Sequence, residues 1–288
     1  MKIKDILIAL LVPTMLGFGY AIAKPAMEYF PPFLLTGIRF TIPALMLVWW
    51  FPVPKGLLLD IFKISFIGST LQYGMSYSGL NMVDASSAVL LVQLETPLGI
   101  IIAFFLLKEV PSFKNIIAVA ISLIGVIVLS GAPNLYGKYL AIFLLSAGAF
   151  TWSLAQVMAK PISNKISPIA LMTWLCVFSG PMLLITSAIF DGNPIKYFFA
   201  ADLASLLTLA FLGFIMHPIS YVAWYYVLGK YEVNKVMPVF LLLPVVGFIT
   251  AIVLLGEQPS PKVYLGGSII IFGVSLILFK DSKKKSKI

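Results

Sequence analysis

Long apolar stretches recur along the whole chain and are separated by short polar breaks. A helix that crosses a lipid bilayer needs about 20 mostly apolar residues, and the pattern predicts ten such helices. Proline, with glycine, asparagine or serine nearby, punctuates most of the breaks. The predicted helices cover residues 6–23, 33–51, 61–82, 85–107, 112–130, 139–159, 168–190, 202–227, 233–255 and 262–280. Because the breaks are too short to hold a soluble domain, we predict an all-α membrane protein.

The composition narrows the function classes further. Of the 288 residues, 60% are hydrophobic and 11% are charged, whereas soluble domains carry roughly 25% charged residues. This excludes a soluble enzyme, a nucleic-acid-binding protein and a disordered chain. One cysteine and one histidine predict neither a disulfide nor a metal centre. Hydrolase signatures and phosphate-binding glycine loops are missing from the sequence, so we expect no enzymatic activity and no cofactor.

The positive charges are distributed unevenly between the two sides of the predicted membrane domain. Fifteen lysines fall on one side and four on the other, while Arg39 lies within the second predicted helix. Cytoplasmic loops carry the excess of lysine and arginine, so both termini are predicted to be cytoplasmic. Residues 281–288 then form a basic cytoplasmic tail. An even number of helices agrees with this topology.

The chain resembles itself at an offset of roughly 136 to 148 residues. The aligned pairs include Lys24 with Lys160, Asp84 with Glu232, and Glu109 with Glu257. Each half holds five predicted helices, and because five is odd, the two halves must be inverted relative to each other. We therefore predict two inverted five-helix repeats, residues 1–131 and 132–280. Inverted repeats are typical of secondary transporters that bind a solute at the bilayer midplane, although some channels share them.

Glu95 is an ionisable residue near the middle of the fourth predicted helix. Such residues are costly in lipid and usually face a cavity. Pro97 releases the backbone carbonyl of Gln93 from its helical hydrogen bond. The Gln93 carbonyl oxygen and the Glu95 carboxylate together could then hold an ammonium group or a proton. A carboxylate paired for structural reasons is the alternative. Pro97 and Pro244, its counterpart in the ninth helix, are predicted to be hinges.

His217 and Arg39 also lie inside predicted helices. His217 precedes Pro218, and we favour a neutral imidazole that bonds a backbone group freed by this proline over a histidine that carries a proton. For Arg39 we favour a side chain that extends outward or pairs with Glu28. Binding of a substrate carboxylate is the second interpretation of Arg39.

Uncharged polar and aromatic residues share faces of several predicted helices. Such a mixture is typical of a cavity that binds a small polar solute. The predicted substrate-binding residues are Gln72, Tyr73, Gln93, Glu95, Trp152, Gln156, His217, Tyr221 and Trp224.

Both halves resemble the EamA-type branch of the drug/metabolite transporter superfamily. In the first half the resemblance is carried by residues 84–91, Pro97 and Lys108-Glu109. In the second half it is carried by residues 229–233, Pro238, residues 242–247 and Gly256-Glu257, which look like the O-acetylserine/cysteine exporter subgroup. The first helix departs from the family pattern with Leu16-Gly17 in place of Trp-Gly, whereas the second half keeps Trp152.

The resemblance implies a ten-helix carrier with a central cavity lined by helices 1, 3, 4, 6, 8 and 9. Such a carrier would export small amino-acid-like metabolites by alternating access, driven by protons or by the gradient of the substrate itself. An uptake carrier or exchanger for another metabolite, such as a nucleotide-derived cofactor, and a lipid flippase remain alternatives. The expected partners are a small solute, protons and membrane lipid, with no nucleic acid. The chain itself is either a monomer or a homodimer.

Overall fold

The computed structural model describes residues 2–110, 113–132 and 134–276, and no β-strand occurs among them. The predicted basic tail and the end of the tenth predicted helix lie outside the described residues. The α-helices are α1 (Ile3–Ala26), α2 (Pro32–Leu47), α3 (Leu58–Ser65), α4 (Gln72–Met82), α5 (Ala85–Leu91), α6 (Glu95–Leu107), α7 (Phe113–Ser130), α8 (Tyr139–Ala159), α9 (Pro168–Phe190), α10 (Ile195–Ala200), α11 (Leu203–Phe211), α12 (His217–Lys230), α13 (Val233–Val236), α14 (Leu242–Leu255) and α15 (Pro261–Leu276).

Several of these helices are joined end to end by turns with a different helical hydrogen-bond pattern. A π-helical turn, Phe66–Leu71, joins α3 to α4, and another, Leu212–Met216, joins α11 to α12. A 3₁₀ turn, Val92–Leu94, joins α5 to α6, and Met237–Leu241 joins α13 to α14. Turns of these two kinds inside long helices often mark functional positions. Among the described turns that join two α-helices, each kind occurs once in each half of the chain, at corresponding places. A further 3₁₀ turn, Val48–Trp50, follows α2.

The two prolines predicted as hinges lie in the first turn of the helices that follow the 3₁₀ turns. Pro97 is the third residue of α6, and Pro244 is the third residue of α14. A proline is tolerated in the first turn of a helix because the N–H groups there have no partner within the helix. Two residues therefore separate each interruption from its proline, and the hinge role itself stays a prediction.

Each predicted apolar segment overlaps a helical stretch in the structure. Six stretches are long and apolar enough to cross a membrane by length and composition. They are Ile3–Ala26, Pro32–Trp50, Ala85–Leu107, Tyr139–Ala159, Pro168–Phe190 and Leu203–Lys230. The stretch from α3 to α4 contains many polar residues, and the described parts of α7, α14 and α15 are shorter. The chain is thus a helical membrane protein, and the number of ten crossings stays a prediction.

The most extensive helix packing joins the first half of the chain to the second. The pairs are α7 with α15, α2 with α9, α1 with α14, α4 with α8, α6 with α8, and α1 with α12. Glycine allows the backbones of α1 and α14 to approach each other closely. A Cβ atom on Gly17 of α1 would lie 2.5 Å from the Leu243 carbonyl oxygen of α14. The two halves are therefore interleaved rather than placed side by side.

Lys24, in the last turn of α1, binds the carboxyl end of α4. Its Nζ donates hydrogen bonds to the carbonyl oxygens of Leu80 (2.8 Å) and Asn81 (2.9 Å). The Asp84 and Glu257 carboxylates also attract this ammonium group. We call these three charged residues the Lys24 cluster. A cation is stabilised here because helix ends leave carbonyl oxygens without partners and carry partial negative charge.

Lys160, directly after α8, makes the matching contact with the carboxyl end of α12. Its Nζ donates to the carbonyl oxygens of Leu228 (2.6 Å) and Tyr231 (2.7 Å). Glu109 and Glu232 attract it electrostatically. We call Lys160 and these two acids the Lys160 cluster. Its members are the residues that the repeat alignment pairs with the Lys24 cluster.

Candidate functional site

Arg39 of α2 is buried in the interior, with 1% of its surface exposed. Its Nη1 donates to the Tyr77 hydroxyl (2.5 Å), and its Nη2 donates to the Tyr73 hydroxyl (3.1 Å). Nη2 also lies 3.6 Å from the sulfur of Met216. The guanidinium carbon lies 4.8 Å from the centre of the Tyr73 ring, within the range of a cation–π interaction. The positive charge is thus held by phenols of α4.

The favoured prediction for Arg39 is wrong. The side chain does not extend outward, and Glu28 lies exposed, away from it. Two tyrosine hydroxyls and an aromatic face supply enough contacts to keep the guanidinium in the interior. Even so, Nε has no hydrogen-bond partner, and no carboxylate in the described part of the chain forms an ion pair with Arg39.

A chain of aromatic contacts extends from Arg39 to His217. The Tyr73 and Tyr221 hydroxyls lie 2.6 Å apart and share a hydrogen bond between α4 and α12. The Tyr221 ring stacks on the His217 imidazole at a centroid distance of 4.4 Å. The sequence placed Tyr73, His217 and Tyr221 among the binding residues, and the fold brings these three together.

The hydrogen bonds of His217 differ from the favoured prediction. Nε2 lies 3.2 Å from the Cys176 sulfur of α9, and Nδ1 has no partner among the described residues. The expected bond to a freed backbone carbonyl is absent because Phe40, Tyr221 and Cys176 hold the imidazole by its faces and edge. The role of His217 as a proton carrier stays a prediction.

A second group of predicted residues surrounds a buried amide. Trp224 Nε1 of α12 donates a 2.6 Å hydrogen bond to Gln156 Oε1 of α8. The Trp152 and Trp224 rings are 5.6 Å apart, and the Phe240 ring lies 4.9 Å from each of them. Three aromatic rings and one amide therefore form a compact box beside the Tyr221 group.

Glu95 is the first residue of α6 and is 5% exposed. Its backbone carbonyl accepts a 2.7 Å hydrogen bond from Ser153 of α8, which fixes the backbone there. Within the described residues, no group donates a hydrogen bond to its carboxylate. Tyr20 and Tyr73 both lie within electrostatic range of it. The alternative of a structurally paired carboxylate thus lacks a partner in the described structure.

Two predicted binding residues lie apart from both groups. The Gln72 amide donates to Ser76 (3.1 Å), and the side-chain oxygens of Gln72 and Gln93 have no partner in the described structure. Both side chains are 1% exposed, and neither borders the internal voids described next. Pro244 instead borders an apolar pocket of ≈ 220 Å³, together with Phe248.

Two small voids lie beside the aromatic groups, and each is too small to hold a water molecule. One is bordered by Trp152 and Trp224, the other by Phe40 and His217, and Tyr221 borders both. Pockets that hold small ligands usually measure about 300–1,000 Å³. The family resemblance implies a single central cavity, whereas the described side chains leave two small voids here, both bordered by Tyr221.

Several residues of these groups are absent from the predicted set, among them Arg39, Phe40, Tyr77, Cys176 and Phe240. Tyr77 could have been found, because it follows Tyr73 by four residues on one face of a helix. Cys176 and Phe240 lie in apolar runs of other helices, where no local pattern distinguishes them from ordinary core residues.

Known proteins resemble this chain over nearly its whole length. A probable amino-acid metabolite efflux pump of Salmonella typhimurium is 28% identical, with 97% of this chain and 96% of the relative aligned. The Escherichia coli protein of the same description shows the same identity and coverage. An uncharacterized transporter of Bacillus subtilis is 25% identical over 93% of this chain and 94% of its own.

A solved crystal structure shares the fold with a TM-score of 0.71, covering 97% of this chain and 99% of the other at 17% sequence identity. The EamA-like transporter family matches residues 3–131 and, separately, residues 139–279. The two matches together cover nearly all of the chain, as the sequence resemblance predicted. The chain therefore belongs to the EamA-like transporter family and is a membrane transporter rather than an enzyme.

Proposed function

We propose that this transporter exports small amino-acid-like metabolites by alternating access across a bacterial inner membrane. The observation that carries the proposal is the burial of Arg39, Glu95 and His217 among interleaved helices of both halves. Charged residues at such depth usually serve a solute or a proton. The names of the two enterobacterial relatives and the resemblance to the O-acetylserine/cysteine exporter subgroup favour amino-acid-like solutes and the outward direction.

The proposed architecture has ten membrane-spanning helices in two inverted repeats, residues 1–131 and 132–280, with both termini cytoplasmic. The helix contacts support it. The pair α1 with α14 matches α8 with α6, and the pair α4 with α8 matches α12 with α1. Among the described turns that join two α-helices, one π turn and one 3₁₀ turn occur in each half, and each half supplies the lysine of one cluster.

Alternating access in this fold requires movement within the interleaved helices. A rigid rocking of one half against the other would disrupt the α2–α9 and α7–α15 packing at the same time. The 3₁₀ turns before Pro97 and Pro244 offer an easier change, since their backbone hydrogen bonds are already irregular. We propose that the two voids merge into one solute cavity when these segments move.

Glu95 is proposed to bind the substrate ammonium group or the coupling proton. Glu95→Gln keeps the size of the side chain and removes its charge, so we expect transport by proteoliposomes to fall at least about 30-fold. Glu28→Gln, on an exposed carboxylate, is the matched control and should transport like wild type. Monodisperse elution of the detergent-solubilised variant would verify that the loss does not come from misfolding.

Two assays distinguish the roles of Glu95. If Glu95 carries the proton, Glu95→Gln loses accumulation driven by a pH gradient but keeps exchange between labelled and unlabelled solute. If it binds the ammonium group, exchange falls as well. Wild-type activity of Glu95→Gln in both assays contradicts either role, and uptake into cells in place of efflux contradicts the proposed direction.

A further inference from the structure

We infer that Arg39, with the hydroxyls of Tyr73 and Tyr77, forms a subsite for the carboxylate group of the substrate. The inference rests on the proposed function, because it defines which chemical group of the solute this part of the site recognises. It makes the transported species a zwitterion whose carboxylate binds Arg39 and whose ammonium group binds Glu95.

The unused hydrogen-bonding capacity of Arg39 is the first argument. A guanidinium carries five N–H donors and matches a carboxylate in a two-bond geometry. In the structure Nη1 and Nη2 donate to Tyr77 and Tyr73, while Nε is buried without a partner. Donor capacity is therefore left for an anionic oxygen beside the phenols.

The missing counter-charge is the second argument. A buried charge is costly unless an opposite charge compensates for it, and no carboxylate of the described chain pairs with Arg39. The surrounding groups are neutral phenols, chiefly Tyr73, Tyr77, Tyr221 and Tyr20. A substrate carboxylate would supply the negative charge that the protein omits.

The position of Glu95 is the third argument. Tyr20 lies within electrostatic range of both Arg39 and Glu95, so the two charges flank the same phenol without forming an ion pair with each other. An amino acid carries both charged groups, so its carboxylate would bind Arg39 and its ammonium group would bind Glu95. The Trp152 and Trp224 rings, which border a void that Tyr221 also borders, would contact its apolar side chain.

Binding of three related probes to the purified full-length protein tests the inference. L-leucine carries both charged groups, 4-methylpentanoate carries only the carboxylate, and isoamylamine carries only the ammonium group. Binding can be followed by tryptophan fluorescence, since Trp152 and Trp224 border the site. We expect Arg39→Gln to weaken binding of 4-methylpentanoate about 30-fold or more and to leave isoamylamine binding within about twofold.

The Glu95→Gln variant should show the reverse selectivity, weak for isoamylamine and normal for 4-methylpentanoate. Tyr77→Phe removes one hydroxyl that positions Arg39 but keeps the ring, and it provides a milder variant should Arg39→Gln fail to fold. It should weaken 4-methylpentanoate binding alone, by several-fold. Equal loss of both single-charge probes in Arg39→Gln and Tyr77→Phe, or no loss of either, overturns the subsite.

Transport by proteoliposomes tests the proposed function separately from the binding of the probes. If wild-type proteoliposomes do not transport leucine or any other amino acid, the proposed function fails. Binding of 4-methylpentanoate that still depends on Arg39 would then support the carboxylate subsite for a different organic acid. Leucine transport with unchanged affinity in Arg39→Gln would support the proposed function and overturn the subsite.

Discussion

At the scale of single residues, aromatic side chains bind the polar groups in the interior of this protein. Trp224 donates to Gln156, the Tyr73 and Tyr221 hydroxyls bind each other, and Arg39 lies against tyrosine rings. An aromatic residue suits this role because its ring packs among apolar neighbours while one polar atom forms a hydrogen bond. A buried polar group that loses its partner costs roughly 1–3 kcal/mol.

Gln156→Leu tests the Trp224 hydrogen bond. The change leaves the indole N–H buried without an acceptor, so the free energy of unfolding should fall by about 1–3 kcal/mol. Trp224→Phe removes the donor, and in that background Gln156→Leu should cost much less. Thermal unfolding of the four proteins in detergent gives the comparison. An equal cost of Gln156→Leu in both backgrounds would show that the hydrogen bond contributes nothing.

At the scale of helices, acidic and hydroxyl side chains bind the free N–H groups where helices begin. The Glu257 carboxylate accepts hydrogen bonds from the backbone N–H groups of Ala85 (2.8 Å) and Ser86 (3.0 Å) at the start of α5. Asp202 accepts one from the Ser205 N–H at the start of α11 (2.8 Å), and hydrogen bonds from Ser205 lower the pKa of that carboxyl. Asp202 caps a helix of its own half of the chain, whereas Glu257, in the second half, caps α5 in the first half.

Glu257→Ala should reduce stability because two N–H groups of α5 lose their acceptors. Loss of a helix cap costs about 0.5–2 kcal/mol, and Glu257 also places negative charge at the positive end of the helix. Glu257→Gln keeps one acceptor oxygen and should cost less. Melting temperatures in detergent should therefore follow the order wild type, Gln, Ala. A Gln variant as unstable as the Ala variant would mean that charge, rather than hydrogen bonding, dominates.

At the scale of the whole molecule, the two lysine clusters join helix ends at corresponding positions of the two halves of the chain. Lys24 joins α1 to α4, and Lys160 joins α8 to α12. In the proposed inverted topology the two clusters lie on opposite faces of the membrane. Hydrogen bonds from a charged donor contribute about 1.5–3 kcal/mol each. Each cluster therefore stabilises the state of the protein that is closed toward the membrane face on which the cluster lies.

We therefore expect Lys24→Gln and Lys160→Gln to open the protein toward opposite faces of the membrane. Ser220, which borders a void, can carry a reporter cysteine in a Cys176→Ala background. We expect labelling of Ser220→Cys by a membrane-impermeant maleimide to rise about tenfold from the face of the substituted lysine. Lys63→Gln, at an exposed position, is the control. Increased labelling from the same face in both variants would contradict the inverted arrangement.

The sequence by itself determined the helices and the family of this protein. Apolar length, prolines and polar breaks are local properties, and they predicted helix positions such as α9 and the interruption before Pro97. The family resemblance, quoted from stretches in both halves, is confirmed by separate EamA matches in each. Burial of Glu95 was also predictable, because no other carboxylate lies so deep in an apolar run.

Only the tertiary structure decided what these residues contact. Arg39 contacts Tyr77, Trp224 contacts Gln156, and His217 contacts Cys176. The two residues of each pair lie on different helices and are 38 to 68 residues apart in the chain. A pattern along the chain indicates which face of a helix is polar, but not which other helix that face packs against. The partners of Arg39 and His217, and the division of the expected cavity into two small voids, therefore depend on helix packing alone.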